Sequence, residues 1–162
     1  MRKPRAKKPL YLYPANIVFK ALSHIGMSLG AINVLTVAGR VSGRPHSTPV
    51  SPVLLNGRRF VIAPMPQADW ACNARASGRG RLTNGRRTKP VILRELGDPD
   101  LRRAVMTAFP AAVPHGVRLF KALGLVNGAD PDQFAAAADH VTAFEVLPSP
   151  APRRTPYSSA PS

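Results

Sequence analysis

The stretch that decides the fold spans residues 32–63 and reads INVLTVAGRVSGRPHSTPVSPVLLNGRRFVIA. Ile32 to Ala38 is short and rich in β-branched residues, which is typical of a strand. Gly39 to His46 is a loop punctuated by two glycines. Ser47 to Leu55 is extended, and its two prolines indicate an edge or bulged strand. Asn56-Gly57 predicts a tight hairpin turn into the returning strand RFVIA, so these strands pair antiparallel.

The rest of the chain adds short elements of both kinds. Two further strands flank an Asn84-Gly85 turn, and a final strand spans His140 to Leu147. Helices are predicted to begin at the N-cap residues Asp69, Asp98 and Asp130, and a further one between Pro114 and Leu123. Six short strands with helices between them predict a mainly β, α+β fold, a small closed or half-closed antiparallel barrel plugged by helices. The early strands lack crossover helices, which argues against a doubly wound parallel sheet.

The length of 162 residues suits one domain between two tails. We expect a basic flexible arm over residues 1–13, the domain over 14–147 and a disordered Pro- and Ser-rich tail over 148–162. Residues 14–30 predict an amphipathic helix. This helix either caps the domain or, with the basic arm, touches an anionic membrane. No continuous apolar run resembles a signal peptide or a membrane span, so we expect a cytoplasmic protein, with contact at the inner membrane face left open.

Charge and residue usage narrow the function. Lys+Arg is 23 and Asp+Glu is 8, and the excess lies in the first three-fifths of the chain, which should attract an anionic cofactor, nucleic acid or lipid headgroups. No helix-turn-helix or interleaved aromatic pattern supports nucleic acid as a partner. A lone Cys72 and four histidines without ligand spacing predict no metal site. Acids are too scarce for a carboxylate or Ser-His-Asp mechanism, so an enzyme of this sequence would rely on a cofactor.

The loop GRVSGRP, residues 39–45, is the most informative motif. Its glycines allow a turn that points several N–H groups inward as an anion nest, and Arg40, Ser42 and Arg44 add donors for a phosphate. The alternative is a solvated basic turn, and the spacing is not that of a Walker loop. Further on, Trp70 and Asn73 share a helix face, where they either meet a planar ring and its polar edge or anchor the core.

Taken together, LTVAGRVSGRPHSTPV, the Asn-Gly hairpin and RFVIAPMPQADWACNARASGRGRL resemble the deazaflavin-dependent nitroreductase and quinone reductase family. Its members show a TxxGRxSGxPxxTP pattern followed by a WxxNxxA helix, and the resemblance runs from about Ile32 to Leu147. It implies a split β-barrel of the flavin-binding type that uses coenzyme F-420, with FMN or FAD as the alternative. It also implies hydride transfer to a small electron-poor acceptor, namely a quinone, an enone or a nitro compound, and it leaves a homodimer open.

The resemblance also implies the cofactor-binding residues. Those of the first group lie in the phosphate region, on the loop and the strand after it: Arg40, Ser42, Gly43, Arg44, Thr48 and Pro49. Those of the second line the deazaflavin ring: Ala63, Pro64, Met65, Trp70 and Asn73. The sequence departs from the family at Val41, where many members carry Lys or Arg. It also has no tyrosine from Phe109 to His115, where nitroimidazole-reducing members carry them. The catalytic proton donor is not identified, and solvent, Ser51 and His115 are candidates.

Overall fold

A computed structural model describes residues 33–150. The strands follow one another closely along the chain, with a helix after the fourth strand and a helical layer before the last. The strands are β1 (Asn33–Ala38), β2 (Pro45–Val50), β3 (Val53–Leu55), β4 (Arg58–Ala63), β5 (Arg79–Asn84), β6 (Arg87–Glu95) and β7 (Thr142–Pro148). The α-helices are α1 (Asp69–Ser77), α2 (Pro99–Ala112), α3 (Val117–Ala122) and α4 (Pro131–Ala136), and Pro114–Gly116 and Ala137–His140 form 3-10 turns.

All seven strands form one antiparallel sheet in the order β2-β1-β5-β6-β7-β4-β3. Its two edge strands, β2 and β3, are joined by only Ser51 and Pro52. Three Cα–Cα steps reach at most about 11 Å, so the sheet must curl until its edges meet. The predicted antiparallel barrel is thereby confirmed as a split β-barrel.

The strand count of six was wrong, because the stretch expected to be one bulged strand is two strands. Val50 pairs with Asn33 in β1, at one edge of the sheet, whereas Val53 pairs with Phe60 in β4, at the other. Pro52 has no N–H to donate, which favours a break in the ladder at this point.

The two faces of the sheet carry separate hydrophobic cores. The inner core fills the barrel with strand residues such as Leu35, Val61 and Phe144, and Ala71 and Ala74 of α1 close it from one side. The outer core lies between β3, β4 and the helical layer, and its centre is three rings, Phe109, Phe120 and Phe134, whose centroids are 4.8 to 5.4 Å apart. Because side chains alternate along a strand, β4 contributes Phe60 to the outer core and Val61 and Ala63 to the inner core.

Helix and turn signals were mostly confirmed. Asp98 and Asp130 are N-caps that accept backbone N–H bonds, and Asn56 and Gly57 both have positive φ, as a type I′ hairpin requires. The cap expected at Asp69 was wrong: Ala68 occupies the N-cap, and Asp69 is the first helical residue with its carboxylate bound to Arg40.

The second hairpin turn also differs from the expectation. Asn84 still pairs with Arg87, so the two loop residues are Gly85 and Arg86 rather than Asn84 and Gly85. Only Gly85 has positive φ, at 56°. A glycine with positive φ at the first loop position is the pattern of a type II′ turn, which twists with the strands as well as type I′ does.

Several expectations concern residues outside the described range. The basic arm over residues 1–13, the helix over residues 14–30 and nearly all of the predicted tail lie outside residues 33–150. Contact of the arm with an anionic membrane therefore stays a prediction. In the described part of the chain, no helix is long and apolar enough to cross a membrane.

Candidate cofactor site

The loop between β1 and β2, residues 39–44, closes on itself through short hydrogen bonds. Gly39 donates its N–H to the carbonyl of Arg44 at 2.8 Å, and Gly43 donates to the carbonyl of Gly39 at 2.9 Å. The Arg44 N–H donates to Ser42 Oγ at 3.2 Å. Gly43 makes this closure possible because its φ of 68° is accessible to glycine at little cost. The loop is a compact turn at one end of the barrel.

The expected nest of inward N–H groups is not what this loop forms. The N–H groups of Gly39, Gly43 and Arg44 are used within the loop, and that of Arg40 donates to Asn73 Oδ1 at 3.1 Å. The physical reason is that a six-residue turn between paired strands satisfies its own backbone first. Among the six loop residues, only Val41 and Ser42 have N–H groups that these bonds do not use, so an anion at this loop would meet those two N–H groups and the side chains.

Arg40 ties the loop to the first turn of α1. Its guanidinium donates to Asn73 Oδ1 at 2.9 Å and to the Asp69 carboxylate at 3.0 Å. Asn73 is buried, with 4 % of its surface exposed, and its carbonyl oxygen accepts both the backbone and the side-chain bond from Arg40. The structure thus joins two residues that the sequence placed near a ligand, Arg40 and Asn73, and adds Asp69 to them. We call Arg40, Asp69 and Asn73 the loop clamp.

The residues expected on β2 point to opposite faces of the sheet. Thr48 pairs with Leu35 and His46 with Val37, and both partners belong to the inner core, so His46 and Thr48 face inward. Pro49 pairs with Val34 and faces outward. Thr48 and Pro49 therefore cannot present their side chains to the same ligand.

His46 is a residue of the site that sequence reasoning missed. A Cβ added to Gly39 would lie 2.8 Å from His46 Nε2 and 3.0 Å from Ser42 Oγ, so the absent side chain of Gly39 makes room for the imidazole against the loop. Beginning the predicted strand at Pro45 rather than Ser47 would have shown His46 and Thr48 on one face.

The ring wall predicted at the end of β4 lies beside the loop clamp. Ala63 is fully buried in the inner core, and Pro64 and Met65 line an open groove of about 330 Å³ together with Pro66, Gln67, Leu123 and Leu125. The segment from Pro64 to Ala68 leads directly into α1, and Ala68 donates its N–H to the carbonyl of Met65 at 3.0 Å. The groove is lined by apolar side chains and one amide, with no charged group.

Trp70 stands between this groove region and the core. It packs on the inner core, with its ring centroid 5.9 Å from that of Phe144 at an angle of 51°, yet it stays half-buried. Trp70 therefore anchors the core, and its stacking on the ring of a ligand stays a prediction. Trp70 directly follows Asp69, so the helix turn that Arg40 holds also fixes the position of Trp70.

Cations without acidic partners gather at the loop end of the barrel. Arg81 pairs with Thr36, so Arg79 lies level with Ala38, the residue before the loop. None of Arg44, Arg79 and Arg81 forms an ion pair with a described residue. The hairpin tip at Gly85 lies at the opposite end of β1, because Asn84 donates to Asn33 at 3.3 Å. The basic residues of the β5–β6 hairpin are thus divided between two ends of the barrel.

The acids of the sheet are neutralised elsewhere. Glu145, which is 4 % exposed, accepts two hydrogen bonds from Arg58 at 2.8 and 3.0 Å, and these bonds lower its pKa although burial opposes the shift. Glu95 accepts two bonds from Arg75 at 2.7 and 2.8 Å, which lower its pKa in the same way. The first pair joins β4 to β7 and the second joins α1 to β6. Because these acids are paired there, they do not offset the positive charge at the loop end.

The two side chains considered as proton donors meet in the structure. Ser51 Oγ and His115 Nε2 are 2.8 Å apart, and both residues are half-buried. They lie 64 positions apart in the chain. No local pattern in the sequence could have paired them.

The comparisons with known proteins identify the family. The model of the F420H(2)-dependent quinone reductase family matches residues 16–118, which is more than half of the chain, and the chain belongs to this family. The protein is therefore an oxidoreductase whose cofactor is coenzyme F-420. No curated protein matches the sequence.

Two solved structures agree with the fold, and a third is more distantly similar. A conserved hypothetical protein from Mycobacterium tuberculosis aligns over 90 % of this chain and 87 % of its own at 11 % identity, with a TM-score of 0.53. A putative 5-nitroimidazole antibiotic resistance protein from Bacteroides thetaiotaomicron aligns over 81 % of this chain and 80 % of its own at 12 % identity, with a TM-score of 0.51. An F420-H2 dependent reductase aligns over 72 % of this chain and 93 % of its own at 20 % identity, with a TM-score of 0.49.

The donor set of the site fits a phosphorylated, planar cofactor. Arg44 supplies a guanidinium that forms no ion pair with a described residue, His46 and Thr48 supply polar side chains on the inner face, and the groove at Pro64 and Met65 supplies an uncharged apolar surface. Guanidinium and hydroxyl groups are the usual partners of phosphate, and an apolar surface is the usual partner of a flat ring system.

Proposed function

We propose that this enzyme reduces a small, neutral, electron-poor acceptor with F-420 as its hydride donor, and that the acceptor is a quinone or an enone before it is a nitro compound. The observation that carries the proposal is the loop clamp. It holds the basic loop after β1 against the start of α1, immediately after the apolar segment from Ala63 to Met65. The loop proposed for the phosphate and the segment proposed for the ring are therefore contiguous, which suits a phosphorylated deazaflavin.

The clamp divides the predicted cofactor residues by role. Arg44 and the Ser42 hydroxyl, with His46 and Thr48, would contact the phosphate region, since their side chains lie at the loop or face inward. Gly43 allows the turn. Arg40 and Asn73 are occupied with each other and hold the loop in place, so they would act by positioning. Pro49 faces outward and would contribute to the strand rather than to the ligand.

The ring would lie against Pro64 and Met65, with Trp70 beside them, and the buried Ala63 would support this wall from the inner core instead of touching the ring. The reduced cofactor supplies the hydride. The chain supplies a surface that excludes water and fixes the distance between donor and acceptor, which is where most of the protein's contribution to such a reaction lies. Arg79 and Arg81, close to the loop and without acidic partners among the described residues, would attract the anionic tail of the cofactor.

The groove supports the choice of acceptor. Its six lining residues carry no charge, so an acceptor with a localised charge would lose its hydration there without compensation, whereas a charge spread over a ring system would lose less. The absence of tyrosine between Phe109 and His115 removes the residue type that the resemblance associates with nitroimidazole reduction. Both features favour neutral carbonyl acceptors.

A binding titration followed by turnover tests the proposal. Wild-type protein is titrated with F-420, FMN and FAD side by side, and we expect saturable binding of F-420 at concentrations where FMN and FAD do not bind. The loaded enzyme is then given a benzoquinone, a cyclohexenone and a nitroimidazole at equal concentrations. We expect turnover in that order. Tighter binding of FMN than of F-420, or faster turnover of the nitro compound, would contradict the proposal.

A further inference from the structure

The Ser51–His115 pair lies outside the cofactor contacts described so far. Ser51 occupies the two-residue link between the edge strands β2 and β3, and His115 occupies the 3-10 turn between α2 and α3. Ser51 Oγ and His115 Nε2 are 2.8 Å apart, so a hydrogen bond joins the link between the edge strands to the helical layer. A hydroxyl bonded to an imidazole can pass a proton along the shared hydrogen bond.

The hairpin register places Ser51 beside the ring wall. β3 begins at Val53, which pairs with Phe60. Ser51 comes two residues before Val53, and β4 runs antiparallel to β3 and ends at Ala63. Ser51 therefore lies towards the end of β4, where the wall of Ala63, Pro64 and Met65 begins.

The helix α3 places His115 beside the groove. His115 stands just before α3, and Leu123, which lines the groove, follows its last residue. His115 and Leu123 are eight residues apart, which is about 12 Å at the rise of a helix. Leu119, on the same helix, is 49 % exposed and continues the apolar surface between the two ends. A molecule seated in the groove would thus have the polar pair within the length of one short helix.

We infer that Ser51 and His115 bind the oxygen of a carbonyl acceptor and deliver the proton that completes its reduction. This rests on the proposed function. Transfer of a hydride to a quinone adds two electrons and leaves a negative charge on oxygen, as the hydroquinone monoanion. Ser51 gives its proton to that oxygen and takes one from the imidazolium of His115, which regains it from water. The reduced cofactor gives up a proton to water besides the hydride, and this proton replaces the one that His115 takes from water. The products are a neutral hydroquinone and the oxidised cofactor, so atoms and charge balance.

The inference selects a class of acceptor. Quinones and enones become anionic on oxygen when they take up a hydride, and they need this proton. A cationic dye such as methylene blue becomes neutral on taking up a hydride, and it needs none. The pair should therefore matter for the first class and not for the second.

The experiment compares Ser51→Ala and His115→Asn with the wild type on both acceptors. We expect kcat for benzoquinone to fall at least about tenfold in each variant, a modest value for general acid catalysis. Turnover of methylene blue and the Kd for F-420 should not change. Ser51→Thr keeps the hydroxyl and should restore quinone turnover. His140→Asn, at an exposed position in the other 3-10 turn, is the control.

A second measurement needs no cofactor. Hydroquinone is added to protein carrying ¹⁵N-labelled histidine, and the imidazole signal that disappears in His115→Asn is followed by NMR. We expect this signal to move in the wild type, to move less in Ser51→Ala, and the His140 signal to stay in place.

Three outcomes separate the alternatives. An unmoved His115 signal, or equal losses on quinone and dye, would overturn the inference, since equal losses mean a merely structural role. A wild type that neither binds F-420 nor reduces the dye would overturn the proposed function instead, and the NMR titration would still decide whether the pair binds a carbonyl-derived oxygen.

Discussion

Removing the side chain of Asn73 is the sharpest test of the loop clamp. Asn73→Ala deletes a neutral hydrogen bond from the Arg40 N–H, worth about 0.5–1.5 kcal/mol, and a bond from its guanidinium, worth about 1.5–3 kcal/mol. The ion pair between Arg40 and Asp69 remains, but its side chains are 40 % and 41 % exposed, so it contributes only about 0–1 kcal/mol. The loop therefore loses most of its attachment to α1.

This loss should appear as weaker cofactor binding. If about 2 kcal/mol is needed to fix the released loop again, the Kd for F-420 rises about thirtyfold. Fluorescence titration of F-420 at low and high salt measures it. Asn73→Ala removes no charge, so the salt dependence should stay that of the wild type. Asn84→Ala, which loses one exposed amide bond at the far end of β1, is the matched control. A folded Asn73→Ala protein with wild-type affinity would refute the positioning role.

The other predictions concern charge, the ring wall and stability. Arg44→Ala should lower F-420 affinity about tenfold at low salt and little at high salt; equal loss at both would contradict a charge contact. Trp70→Ala should weaken F-420 binding and leave any binding of a short DNA duplex unchanged, as paired titrations would show. Arg58 lowers the pKa of Glu145, so their pair stabilises the fold fully above the ordinary glutamate pKa, and this stabilisation is lost as the pH falls through the lowered value. Glu145→Gln should therefore flatten the fall in Tm between about pH 6 and about pH 3. Phe134→Ala should cost about 3–5 kcal/mol in urea unfolding, and a cost under about 1 kcal/mol would contradict its central place in the outer core.

Local signals were enough for most elements of the barrel. The Asn56-Gly57 turn, the aspartate caps of α2 and α4 and the alternation of the strands depend on neighbours a few residues away, and they could be predicted. The break at Ser51 could not, because the residues on both sides have the same extended composition. What decides it is that Val50 finds its partner in β1 and Val53 in β4.

In the site, too, some features could be predicted from neighbouring residues and others depend on contacts between distant parts of the chain. The glycines and arginines of residues 39–45 mark a basic turn in the sequence, and the family resemblance assigns it to a cofactor. The roles of individual side chains depend on contacts across the chain. Arg40 was expected at a phosphate, but its guanidinium meets Asp69 and Asn73, which lie 29 and 33 positions away. Such pairings follow from how α1 packs on β1, which no local pattern records.

The prolines of β2 have a consequence for self-association. Pro45, Ser47 and Pro49 alternate along the strand, and because β1 pairs with the whole strand, the nitrogens of the prolines must face the open edge. Two of the three positions that would offer an N–H to an approaching strand therefore offer none. The opposite edge, β3, has only three residues. Both edges are poor templates for another chain, so concentrated protein should resist strand-to-strand aggregation, and a homodimer would have to form through side chains on another surface.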